Sequence, residues 1–281
     1  MRRQFYRAWQ FYSAHPKKTL SLTMGFGLYA YGSLQRIRAQ DPGFFYKKLD
    51  INLLDEKPLK IEVTTPTGLR LRPALKADLD AYDSIYSDAK TMVTYSNGPE
   101  TRQQTATRLE RYEDRVNSGY VWTGYAIEKY DELPTWLILL LGPKLFKRLE
   151  NFFPNIPRTT VIGHIAIGNG DEPGEVQLGI VIGANIQGKN YQGQGHGKNA
   201  SRAAAGLTLF YAERNKAVTI NDQSNPVTKI SATARRDNIP SQKILMTVWG
   251  MKVTTDKLDD DQRQLWSTSA SELKIHIRPK L

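Results

Sequence analysis

The sequence predicts an α/β (α+β) fold, a β-rich core with helices set between its strands. Three observations carry this expectation. Thr160–Gly168 (TVIGHIAIG) and Glu175–Ile182 (EVQLGIVI) are β-branched runs joined by the turn cluster GNGDEPG, the pattern of a hairpin. A glycine-rich passage then leads into Ala-rich Gly197–Asn215, which reads as a helix. Strand character returns at Lys229–Arg235 (KISATAR), followed by a helical Pro240–Trp249.

The remaining elements are read in chain order. Lys60–Arg72 reads as a strand, a turn near Pro66–Gly68 and a second strand. Asp78–Asp88 is helical, with Leu79, Tyr82, Ile85 and Tyr86 on one side. Gly98–Pro99 breaks the chain, and Thr101–Val116 is a polar helix rich in paired charges. Tyr120–Ile127 is an aromatic strand. An amphipathic insertion at 130–158 places Leu145, Leu149 and Phe152 at helical spacing around Lys144, Lys147 and Arg148. Pro240 suits the first turn of its helix, Asn238 its N-cap, and Gly250 its C-terminal cap. Met251–Thr255, Leu265–Ala270 and Leu273–Ile277 are expected to be strands.

Composition narrows the chemistry. The 281 residues contain no cysteine, which excludes disulfides, Cys-containing zinc sites and a thiolate nucleophile. The four histidines, His15, His164, His196 and His276, form no metal-ligand pattern, so no metal is expected. Residues 1–60 carry eleven Lys/Arg against four acids, most of the chain's +11 net charge. We therefore expect a basic, aromatic-rich helical extension over 1–59, ahead of one domain over 60–281. The uncharged stretch 19–34 is shorter than the ~20 residues that cross a bilayer. Residues 1–40 and 133–153 are the segments suited to lie on a membrane surface; the expected location is cytoplasmic, with these as peripheral contacts.

One passage stands out chemically: Gln187–Lys198, QGKNYQGQGHGK, lies between a strand and a helix. Its glycines allow close backbone approach, and its amides point from the positive end of the helix dipole. With Lys189 and Lys198 it makes an anion site. It matches neither G-x-x-x-x-G-K-[ST] nor G-x-G-x-x-G, so neither nucleotide hydrolysis nor dinucleotide binding is expected.

Gln192-Gly193-Gln194-Gly195-His196-Gly197 resembles the [RQ]-x-x-G-x-[GA] pyrophosphate loop of GNAT superfamily N-acetyltransferases. Ser231–Met251, with Asn238, Ser241 and Gly250–Met251, resembles that family's later motif, especially in the branch that acetylates ribosomal-protein N-termini. Gly68–Asp80 is similar to that branch's opening strand and helix, and the likeness covers about residues 60–257. The resemblance implies a mixed, mostly antiparallel sheet flanked by helices, whose central strands 175–182 and 228–235 splay apart. Acetyl-CoA, as co-substrate, would enter that wedge, its pyrophosphate on the amides of Gln192 to Lys198. Asn238 would contact the pantetheine or a bound water, and Ser241 would protonate the leaving thiolate. The acceptor would be an amine, on a peptide or protein among other carriers, attacking the thioester directly. Nucleic acid is not an expected partner.

The general base stays open. The branch often has an acid where Gln177 stands here; Glu175, two residues earlier on the same face, and His164 on the preceding strand are the candidates, with a water relay as the third route. A CoA-binding module of the same fold, without catalysis and tethered by the basic extension, is the alternative reading.

Overall fold

A computed structural model describes residues 41, 46, 49–54, 58–95, 98–130, 159–220, 223–255 and 263–277. In chain order the elements are β1 (Asp50–Leu54), β2 (Lys60–Thr64), β3 (Leu69–Pro73), α1 (Leu79–Tyr86), α2 (Ala89–Met92), α3 (Arg102–Asn117), β4 (Gly124–Tyr130), β5 (Thr159–Asn169), β6 (Glu175–Ile182), α4 (His196–Glu213), β7 (Val218–Ile220), β8 (Gln223–Asn225), β9 (Lys229–Arg235), α5 (Ile239–Trp249), β10 (Lys252–Thr255), β11 (Arg263–Ser269) and α6 (Ala270–Ile277).

Nine strands form one sheet in the order β1-β2-β3-β4-β5-β6-β9-β11-β10, while β7 and β8 pair separately. Every neighbouring pair in the large sheet is antiparallel except β6 and β9. The fold is therefore α/β with a mixed, mostly antiparallel sheet flanked by helices, as the sequence led us to expect. The parallel pair needs a long crossover, and α4 supplies it.

Strand alternation separates the two faces of the sheet. On β5, His164 packs against Tyr82 and Tyr86 of α1 and Tyr112 of α3. Its neighbour Ile165 points to the other face, where its cross-strand partner Tyr125 meets Tyr211 of α4 through their hydroxyls, 3.1 Å apart. The largest fully buried side chains of the core are aromatic: Trp122, Trp249, Tyr82, Tyr86, Tyr125 and Tyr211. On α3, buried Thr105, Leu109, Tyr112 and Val116 make the inward stripe, and Thr101 and Gln104 form a reciprocal capping box.

Three expectations need correcting. The sheet begins at Asp50, ten residues before the boundary drawn from composition, because β1 pairs with β2 along its length. The aromatic strand starts at Gly124 and runs to Tyr130. Leu273–Ile277 belongs to helix α6: Ser269 and Glu272 cap each other, with the Glu272 amide donating to the serine hydroxyl at 3.1 Å and the Ser269 amide to the carboxylate at 3.0 Å. Leu273 and Ile277 then fall four apart on one buried helical face. The readings of residues 1–40, of the membrane-contacting segments 1–40 and 133–153, and of most of the 130–158 insertion lie outside the described residues. Among the described residues, no helix is long and apolar enough to cross a membrane.

Local chemistry sets both ends of helix α5. Asn238 caps its start, accepting from the Ser241 amide at 3.2 Å. Gly250 ends it at φ +65°, where a Cβ would lie 2.9 Å from the His276 ring. Replacing Gly250 by Ala is expected to lower the free energy of unfolding by about 1–2 kcal/mol, read from urea denaturation. An unchanged midpoint would show that this cap is not under steric constraint.

Candidate active site

The parallel ladder between β6 and β9 is short. It runs from the Glu175–Lys229 pair to the Leu178–Ala232 pair, while β6 continues to Ile182 and β9 to Arg235. Beyond Leu178 the strands diverge, and backbone groups facing the gap lose their cross-strand partners. Both α4 and α5 begin at this open end, so two helix N-termini flank the gap.

The glycine-rich passage lies along one side. Gly193 and Gly195 adopt φ +73° and +81°, and a Cβ on either would meet nothing within 4 Å. Both backbones are thus left-handed and open to the outside. The loop is pinned from within: the Gln192 side-chain amide donates to the Ile182 carbonyl at 2.8 Å, and Gln194 donates to the Asn190 carbonyl. Gln192 therefore ties the loop to the end of β6. Gly195 is the N-cap of α4, and the Asn199 amide makes the first helical bond back to it at 3.1 Å. The amides of His196, Gly197 and Lys198 precede any intrahelical acceptor. Burial, and then the neighbouring Arg202, push the Lys198 ammonium below its ordinary pKa. A bound anion would relieve that repulsion.

The opposite side is built by α5 and by a strap formed of α2 and the turn after it. The strap is fastened at both strands. At its start, Thr91 accepts from the Ala184 amide just beyond β6 at 2.8 Å and is held by Asp88. At its end, the Thr94 hydroxyl accepts from the Asn238 side chain at 3.0 Å, and the Thr94 carbonyl accepts from Arg263 at 3.1 Å. Arg263 also donates to the Thr233 hydroxyl at 2.9 Å and carbonyl at 3.0 Å. One arginine thus joins β11, β9 and the strap.

Two adjoining cavities of about 280 and about 490 Å³ occupy the wedge. Thr94, Tyr95, Ile180, Asn238, Ser241 and Ile244 border both. The larger reaches the glycine-rich loop at Gln192, Gly193, Gly195, Gly197 and Lys198. The smaller reaches Gln177, Gly179 and Thr233. The structure therefore brings five of the seven predicted loop residues together with Asn238 and Ser241; Gln194 and His196 do not border the cavity. Lys90, Lys198 and Arg263 are the basic groups of the lining, and Asp237 is paired with Arg235 at 2.8 Å. The cleft suits an elongated ligand with an anionic end at the loop.

The two proposed bases do not border this cleft. Glu175 is buried at the closed end, where its carboxylate accepts from the Asp171 and Glu172 amides, each at 3.0 Å, and faces Lys229 at 3.5 Å. Despite the desolvation that opposes it, hydrogen bonds and Lys229 hold its pKa below the ordinary carboxylate value. It is an ionised turn anchor. His164 is 1% exposed, with Nδ1 2.6 Å from the Tyr86 hydroxyl. Burial, then Arg108, push its pKa well down, so it is a neutral core imidazole. Sequence reasoning missed the strap. Asp88 three residues before Thr91 is a local cap signal, but the Thr94–Asn238 contact spans 144 positions.

Among the described residues, no group of three or more His, Asp or Glu is placed to hold a metal ion. The acetyltransferase (GNAT) domain family matches residues 68–251. No curated protein matches the chain. Among solved structures, a GNAT-family acetyltransferase from Bacillus anthracis is 15% identical, covering 79% of this chain and 99% of its own, at TM-score 0.46. The ribosomal-protein-S5-alanine acetyltransferase of Vibrio fischeri is 12% identical over 74% and 96%, at 0.46. The microcin C7 self-immunity acetyltransferase MccE, in complex with acetyl-CoA and AMP, is 12% identical over 72% and 92%, at 0.46.

The burial of His164 makes stability depend on pH. Its folded pKa is depressed, so its contribution is complete above the unfolded value of about 6.5. As pH falls below that value the unfolded chain takes up a proton that the folded chain refuses, and stability drops by up to ~1.4 kcal/mol per pH unit. Urea midpoints of the parent and of His164→Gln between neutral and mildly acidic pH should show a shallower acid-side loss in the variant. Parallel curves would mean that His164 titrates normally and is accessible.

Proposed function

From the premise that the chain belongs to the GNAT acetyltransferase family, we propose that it transfers the acetyl group of acetyl-CoA to a primary amine on a peptide or protein. The observation that carries this is the coincidence of the unzipped β6–β9 pair with a glycine-rich helix start. Backbone amides of the helix start, the helix dipole and Lys198 converge at one end of a cleft whose other end holds Asn238 and Ser241.

Acetyl-CoA supplies an activated thioester. The amides of His196 to Lys198 take the pyrophosphate, with Gly193 and Gly195 letting it approach the backbone. Ile180, Ile182 and Ile244 give the pantetheine arm an apolar wall. Backbone amides of β6 that point into the gap, beyond the end of the β9 ladder at Leu178, polarise the thioester carbonyl as negative charge develops on its oxygen. The free amine attacks that carbon, and the C–S bond breaks. Ser241 gives a proton to the departing sulfur and recovers one through solvent, while the new amide loses the amine's extra proton to water. Asn238, held by Thr94 and capping α5, keeps Ser241 in place. The absence of cysteine agrees with direct attack.

The test is a calorimetric titration with acetyl-CoA, followed by mass spectrometry of peptide acceptors. The parent should bind, and Gly195→Glu should weaken binding at least tenfold by placing a carboxylate where the pyrophosphate sits. Gly188→Glu is the control: Gly188 has a similar backbone, φ +77° with an open Cβ direction, but does not border the cleft. Equal loss in both variants would attribute the effect to backbone strain. No binding by the folded parent would refute the proposal.

A further inference from the structure

The smaller cavity is chemically divided along the plane of the sheet. Thr233 faces the strap, since Arg263 links it to Thr94. Its neighbours Ala232 and Ala234 therefore point the other way, toward α4 and α5. Ile165 and Leu178 lie on that same face, the face of Tyr125 and α4. With Leu245 and Trp249 of α5, these residues make the apolar walls of a recess bordering the vertex where β6 and β9 part, to which α4 contributes the buried Ser201. All six apolar walls are nine-tenths or more buried. The strap side of the same cavity is polar, with Gln177, Thr233 and Arg263.

We propose that this recess holds acyl chains longer than acetyl, so that propionyl- and butyryl-CoA are donors alongside acetyl-CoA. The inference rests on the CoA reading above. A thioester carbonyl held at the vertex sends its alkyl chain one way and meets the amine from the other. The polar strap face receives the amine, and the apolar helix face receives the chain. A single acetyl methyl covers a small part of six apolar walls, two of them alanines that leave room. A volume of about 280 Å³ limits the chain to a few carbons. The step is unchanged in balance: the C–N bond forms, the C–S bond breaks, the amine gives up one proton and the thiolate takes one, yielding the propionyl or butyryl amide and free CoA.

Each methylene moved from water into such a recess strengthens binding about fourfold. Calorimetric titration of the full chain with CoA, acetyl-CoA and butyryl-CoA reads this directly. Butyryl-CoA should bind at least fourfold tighter than acetyl-CoA. Ala232→Leu, which fills the recess, should abolish that gain and leave the affinity for CoA within twofold. Ala234→Leu serves if the first variant does not fold, and the chain-length comparison on the parent needs neither. Equal or weaker binding of butyryl-CoA by the parent overturns the inference while leaving the CoA reading intact. Failure to bind CoA itself removes both.

Discussion

The structure depends on one interrupted interaction, the backbone ladder between β6 and β9. Four residue pairs hold the strands together, and then the ladder stops. Unpaired backbone polar groups inside a protein are costly, so an opening of this kind persists only where something else satisfies them or props the strands apart. Here the props are identifiable. Gln192 fixes the loop to the end of β6, α5 starts from Asn238 immediately after β9, and the strap is fastened to both sides through Thr91 and through Thr94 with Arg263. The cleft is therefore a built feature of the sheet and not a packing defect.

Electrostatics obey the same division. At the closed end, where the ladder is intact, charges are satisfied internally: Glu175 is consumed by turn amides and Lys229. At the open end, positive potential accumulates from two helix starts, Lys198 and Lys90. Charge that is neutralised at one end and left available at the other gives the wedge a direction, with its positive end at the loop.

Much of this was legible in the sequence because it is local. The limits of β6 and β9, the Asn238 cap, the Gly250 terminus and the glycine-rich helix start each depend on a few neighbouring residues. What was not legible is either long-range or a misread local signal. The strap joins the site through bonds spanning 93 and 144 positions, which no pattern of spacing reports. Glu175 and Gln177 do share a strand face, but alternation says nothing of the turn amides that occupy the Glu175 carboxylate. His164 looks like a base in sequence and is a core residue in three dimensions, enclosed by three tyrosines. Leu273–Ile277 is expected from the sequence to be a strand, whereas Ser269 and Glu272, three residues apart, carry a helix-start signal.

The central claim is that the gap between β6 and β9, with the start of α4, receives the CoA moiety. Backbone amide NMR during titration with acetyl-CoA tests it residue by residue. The largest shifts should fall on Gly193–Lys198 and Gly179–Ile182, the loop and the strand end that run along the cleft. Unmoved signals in both stretches at saturating ligand, with shifts elsewhere in the sheet, would contradict it.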